Sequence, residues 1–187
     1  DPGVVFIDRI NRDNPTPNLG EIEATNPCGE QPLLPYEACN LGSLNLGRFV
    51  TEGKKPRIDW KRLAGVIPVA VRFLDNVLDY NADKHPLKAQ TEASMISRRI
   101  GLGFTGLGDM LCQMCLKYDT DEAISFVDNL FEKIKNFAYD ESVNIGLEKG
   151  IFQHFDVEKH MRSPFIQRLY PQVQERIRRH GLRNVAL

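Results

Sequence analysis

The chain has 187 residues, enough for one domain with its own core, and 42% apolar with 26% charged residues is ordinary for a globular protein. A formal net charge of −1 offers no basic excess for nucleic acid, and no run of about 20 uncharged apolar residues is present to span a membrane. The opening DPGVVFIDRINRD lacks the order of a signal peptide, and four cysteines without a dense framework suit a reducing, cytoplasmic setting.

Val4 to Ile7 is a short apolar run that predicts a strand. Asn11 to Gly20, with Asn14-Pro15 and Pro17-Asn18-Leu19-Gly20, predicts an irregular connection, so residues 1–23 read as an opening strand and turns. In residues 24–38, Pro27, Gly29, Pro32 and Pro35 interrupt helix and central strand alike. An extended stretch there, with its period of two, points Asn26, Cys28 and Glu30 the same way. Cys39 follows Cys28 by eleven positions. Leu41, Leu44 and Leu46, with small or polar residues between them, predict a buried strand within 39–50, weakened by Gly42.

Residues 59–187 read as mainly helical. Asp59 caps a helix to Leu78 whose Leu63, Ile67, Ala70, Val71, Leu74 and Leu78 share a face, and Pro68 predicts a kink or a break. After a linker around His85-Pro86, Thr91 to Arg99 predicts a short helix ended by Arg98 and Arg99. Gly101 to Gly106 spells G-x-G-x-x-G, with Asp121 at the distance of a ribose-binding acid, but residues 92–99 before it are too polar for the buried strand such a fingerprint follows. Cys112 and Cys115 form a CxxC whose neighbours Met110, Leu111, Met114 and Leu116 favour core packing. Thr120 caps the strongest helix, with a face of Ile124, Val127, Leu130, Phe131, Ile134, Phe137, Ala138 and Glu141 ending near Gly146 or Gly150. Phe152 to Phe155 reads as a loop presenting His154, and Pro171 opens a last helix through His180. Its cluster Arg176, Arg178, Arg179, His180 and Arg183 reads as a solvated face, or as a source of salt bridges to segments outside the chain.

The chemistry concentrates in ATNPCGEQPLLPYEACNLGSLNL, residues 24–46. Here Glu30 can take a proton, Asn26 can orient a hydroxyl, and Cys28 can serve as nucleophile or hydrogen-atom carrier. A structural loop with a small buried cysteine has the same spelling. A metal site is disfavoured, because four Cys and four His are scattered without zinc-like spacing.

That run, with DPGVVFIDRINRDNPTP before it, RRIGLGFTGLGDML after it and the final HGLRNVAL, resembles the catalytic subunit of ribonucleotide reductases. The form NPCGE, with the second cysteine eleven positions after the first, is most similar to the adenosylcobalamin-dependent class II enzymes. The resemblance implies an α/β fold, part of a ten-stranded barrel with an active-site finger loop and several helices. It places the glycines of 101–106 between and within helices, so Phe104 to Leu116 reads as a helix tolerating Gly106 and Gly108 at about 1 kcal/mol each.

By the same resemblance, Cys28 matches the thiyl-radical cysteine that removes the 3′ hydrogen atom of a ribonucleotide. Glu30 matches the acceptor of the 3′-hydroxyl proton, Asn26 the amide holding the substrate hydroxyls, and Cys39 one member of the redox pair. The implied cofactor is adenosylcobalamin, and the implied reductant an external dithiol such as thioredoxin. The other redox cysteine and the phosphate-holding loop are expected before Asp1 and beyond Leu187, so the segment alone is expected to be inactive. Those missing segments are its expected partners, with a homodimer once the subunit is complete. The alternatives are a class I large-subunit segment, a dinucleotide-binding oxidoreductase and a non-catalytic remnant.

Overall fold

The computed structural model describes residues 3–185, so the Asp1-Pro2 and Ala186-Leu187 ends of the resemblance lie outside the described residues. The first element is a helix, α1 (Ile7–Arg12), and Val4 to Phe6 form no strand. A four-residue apolar run does not distinguish the two structures. Here the Asn11 side chain decides, donating to the carbonyls of Ile7 and Ile22 and accepting from the Ile22 N–H at 2.7 Å. Asn11 and Arg12, expected in the irregular connection, instead close α1, whereas residues 14–20 are irregular, closed by Asn14, which accepts from Thr16 N–H and donates to the Gly20 carbonyl.

Two short strands, β1 (Ala24–Thr25) and β2 (Pro32–Leu33), pair antiparallel as a hairpin. The next strand, β3 (Leu41–Asn45), runs into a 3-10 turn at Leu46–Phe49. It pairs in parallel with β4 (Gly101–Thr105), Leu41 opposite Gly101 and Asn45 opposite Thr105. The expected helix from Phe104 is therefore corrected at its start. Gly101 sits where a Cβ would lie 2.3 Å from Leu41 Cδ2, so a bare backbone lets the two strands and the Leu41 side chain share the space. Among the described residues this parallel pair is present, not a closed ten-stranded barrel.

The crossover between β3 and β4 holds α2 (Trp60–Asn81) and α3 (Lys88–Ser97). Asp59 caps α2, accepting from Arg62 N–H at 3.0 Å. The helix continues through Pro68 instead of breaking, because buried Leu63 and Ile67 on one side and Val71, Leu74 and Leu78 on the other hold a single apolar stripe in the core. A short α4 (Leu107–Gln113) follows β4, and Gly106 between them has φ +68°. A Cβ there would meet Asn45 Oδ1 at 2.6 Å, so only glycine fits the turn. Then α5 (Asp121–Lys149) packs along α2, capped by Thr120, which accepts from Ala123 N–H. Its stripe is displaced from the predicted one, since Ile124 is 61% exposed while Ala123, Leu130, Ile134 and Ala138 are buried. The chain ends with α6 (Val157–Arg162), α7 (Pro164–Gln167) and α8 (Pro171–His180), the last packed on α5. No helix among the described residues is long and apolar enough to cross a membrane.

One carboxylate ties these helices together. Asp75 of α2 is fully buried and accepts from Arg98 Nη2 at 2.5 Å, Lys149 Nζ at 2.9 Å, Asn184 Nδ2 at 2.9 Å and Arg183 Nε at 3.2 Å. Burial alone would push its pKa up, but the bonds from Arg98, Asn184 and Lys149 prevail and hold it at about 2. Arg183 thus pairs inside the chain instead of forming a solvated face, and Arg176 likewise pairs with Asp140 and Asn144 of α5. Asp75→Ala leaves Arg98 buried with only the half-exposed Asp79 as counter-charge, and is expected to cost about 3 kcal/mol, read from the urea midpoint.

His160 of α6 is a second buried anchor, its Nδ1–H donating to the Pro15 carbonyl at 2.7 Å. Burial depresses its pKa to about 4, and the Pro15 bond only partly opposes this. An unfolded histidine takes its proton near 6.5, so between the two values the unfolded chain binds the extra proton. The stability gained by burying the neutral ring is therefore full above about pH 6.5 and drains away as the pH falls to about 4, a loss of about 3 kcal/mol. Unfolding curves at pH 7, 5.5 and 4 should show that loss, and His160→Gln should flatten it.

Candidate active site

The segment 26–31 is the tip of the β1–β2 hairpin, not an extended stretch. Pro27 disfavours a continuing strand, and Gly29 takes φ +87°, which a side chain would resist. The turn is closed twice by Asn26, whose N–H donates to the Gln31 carbonyl at 3.1 Å while its Oδ1 accepts from the Gln31 N–H at 2.9 Å. A third bond runs from Gly29 N–H to the Asn26 carbonyl. The simple alternation therefore fails: Asn26 is buried, whereas Cys28 and Glu30 are exposed at the tip.

The turn nevertheless gathers the four candidate residues. Cys39 lies just before β3, and its thiol feels the other three groups. Partial burial and the negative charge of Glu30 push the Cys39 thiol up, the Asn26 amide pulls it down through a hydrogen bond, and Cys28 adds a smaller upward push. An amide, a carboxylate and two thiols thus lie near one another, Asn26 buried and Cys28, Glu30 and Cys39 exposed, and both thiols are free. That set can hold a hydroxyl, remove a proton and exchange hydrogen or electrons at sulfur.

Residues not singled out in the sequence hold this surface in place. Glu37 accepts from Leu34 N–H at 2.8 Å, Ser97 Oγ at 2.5 Å and Arg99 Nε at 2.7 Å. Arg99 in turn donates to Thr16 Oγ at 2.8 Å, so residues 16, 34–37 and 97–99 form one knot beneath the loop. The available signal was a lone carboxylate in the apolar, proline-rich run LLPYEAC, where an unpaired charge would be costly. Asn40 adds an anchor to the helical layer, donating to the Leu74 carbonyl at 2.9 Å.

The remaining candidates stay apart from this cluster. Cys112 and Cys115 are exposed, which corrects the expectation that they pack in the core. Cys112 sits near the end of α4, and Cys115 follows it at φ +56°. His154 is exposed on its loop, and its carbonyl accepts from Asn18. In the G-x-G-x-x-G spelling, Gly101 and Gly103 lie inside β4 instead of after a strand, so they do not form a phosphate-binding turn. No group of three or more His, Cys, Asp or Glu arranged to hold a metal occurs among the described residues.

Comparison with known proteins fits this arrangement. The family model for the ribonucleotide reductase barrel domain matches residues 1–187. The vitamin B12-dependent ribonucleoside-diphosphate reductase of Mycobacterium tuberculosis is 47% identical over 163 residues, covering 87% of this chain and 23% of that protein. The protein of the same name from Thermoplasma acidophilum is 45% identical over 152 residues, covering 81% of this chain and 19% of its own length. The ribonucleoside-diphosphate reductase subunit alpha of Chlamydia muridarum is 29% identical, covering all of this chain and 20% of that subunit. The chain thus spans roughly a fifth of these relatives. It belongs to the ribonucleotide reductase barrel-domain family, and within it resembles the vitamin B12-dependent reductases more than this alpha subunit.

Proposed function

We propose that this chain is the part of a ribonucleoside-diphosphate reductase that carries the reacting side chains, in an adenosylcobalamin-dependent enzyme. The observation that carries the reading is the gathering of Asn26, Cys28 and Glu30 at the β1–β2 turn, close to Cys39, in a chain of this family. Cys28, exposed at the hairpin tip, takes the 3′ hydrogen atom of the ribose as a thiyl radical. Glu30 accepts the 3′-hydroxyl proton while the thiol pair containing Cys39 gives the proton with which the 2′-hydroxyl leaves as water, and Cys28 at the end returns its hydrogen atom to C3′. Asn26 already bonds the turn through its backbone and Oδ1, which leaves its NH2 group to reach a hydroxyl or the Cys39 sulfur. Cys39 supplies reducing equivalents with a second thiol outside this chain, and the resulting disulfide is reduced by an external dithiol such as thioredoxin. A Cys28–Cys39 disulfide would consume the radical carrier and is off the pathway.

Adenosylcobalamin supplies the initiating radical when bound. The described residues hold no cluster of metal-ligating side chains. What they contribute is an accessible Cys28 thiol. Closer identity to the B12-dependent relatives than to the alpha subunit favours this over a class I enzyme, which takes its radical from a separate metal-bearing protein.

In the complete polypeptide, Cys28→Ala should abolish cobalamin-dependent formation of deoxyribonucleotide, measured by chromatography of the product, while ribonucleotide binding persists. Turnover that survives this change would sink the radical assignment. Glu30→Gln should slow turnover by about 100-fold or more. The same change should lower the pH midpoint of Cys39 alkylation by iodoacetamide, followed by mass spectrometry, because it removes a charge that disfavours the thiolate.

A further inference from the structure

We infer that Gln31 is a positioning residue that sets the spacing between the Cys28–Glu30 turn and Cys39. Gln31 is fully buried although it ends an exposed hairpin tip. Its backbone closes the turn in both directions with Asn26. Its side chain reaches the other way, Oε1 accepting from the N–H of Asn40, the residue after Cys39. One residue therefore holds both halves of the candidate site.

The sheet is shaped to admit this amide. A Cβ on Gly101 would lie 3.2 Å from Gln31 Cδ and 3.3 Å from Nε2, so the absent side chain leaves the space that Gln31 occupies. Gly42, on the neighbouring strand and pointing the other way, would meet Leu74 of α2. Gln31 thus lies over the face of the β3–β4 pair turned away from α2. Simple filling does not account for the residue. Its Nε2 is buried without a hydrogen-bond partner, and an apolar side chain of that size would fill the space without an unmatched donor. The amide is retained at a cost in stability, and what it provides is the bond to Asn40.

The consequence for turnover rests on the proposed reductase reading, because reacting atoms misplaced by about 1 Å cost about 100-fold in rate. The positional part does not rest on it. The test uses the complete polypeptide with Gln31→Met, which keeps the volume and removes the bond, and Gly101→Ala, which presses a methyl group onto Gln31. The closest neighbour of that methyl group is the flexible end of Leu41, so the second variant keeps the fold.

Two readouts are taken on each folded variant. The first is whether Glu30→Gln still shifts the alkylation midpoint of Cys39. The second is kcat and KM for ribonucleotide reduction. The expected result is loss of the Glu30–Cys39 coupling, kcat lower by about 100-fold and KM within about threefold. Intact coupling, or an unchanged kcat in an active enzyme, overturns the inference. A parent polypeptide that reduces no ribonucleotide removes the reductase reading instead, and the coupling alone then decides the role of Gln31.

Discussion

The arrangement of this chain depends on the buried carboxylate of Asp75. It gathers a cation from the end of α3, another from the last turn of α5, and an arginine and an asparagine from the irregular segment after α8. Such a cluster is not a cheap source of stability, since each charge loses its hydration on burial. Its value is geometric. Four separate stretches of chain converge on it, and a packing that parts α3 from α2 leaves the buried Asp75 and Arg98 without each other.

Arg98 and Arg99 carry that constraint to the candidate site. Arg98 adopts a left-handed conformation, with φ +47°, at the end of α3. The turn sends consecutive side chains to different places: Arg98 goes to Asp75 in the helical layer, and Arg99 goes to Glu37 under the loop that leads to Cys39. The two buried ion pairs are joined by a single peptide bond. The loop is thereby referenced to the helices, not merely laid over them.

Legibility in the sequence followed the range of the interactions. The caps at Asp59 and Thr120 and the apolar stripes of α2 and α5 could be read because they involve neighbours within a turn or two. Asn26, Cys28, Glu30 and Cys39 stood out by spelling, yet their geometry was misread. Period-two alternation describes a strand, whereas Gly29 and the double bond between Asn26 and Gln31 make a tight turn. β4 was missed because its glycines signal nothing locally and make sense only beside Leu41 and Ser43 of the partner strand. Arg99 and Gln31 were silent for a related reason, as their partners are distant in sequence or are backbone groups, and Glu37 signalled only as a charge with no partner nearby in sequence.

The Glu37–Arg99 pair joins residues 62 positions apart, and the β3–β4 ladder spans a similar distance. Contacts of such separation form only after the intervening chain has surrendered much of its freedom. The hairpin tip, by contrast, closes over a handful of residues. During folding, the thiol of Cys28 therefore reaches its turn early, while the ground beneath Cys39 is completed only when α2 and α3 have docked. The candidate surface is an end product of folding, which makes its correct assembly a report on the whole crossover.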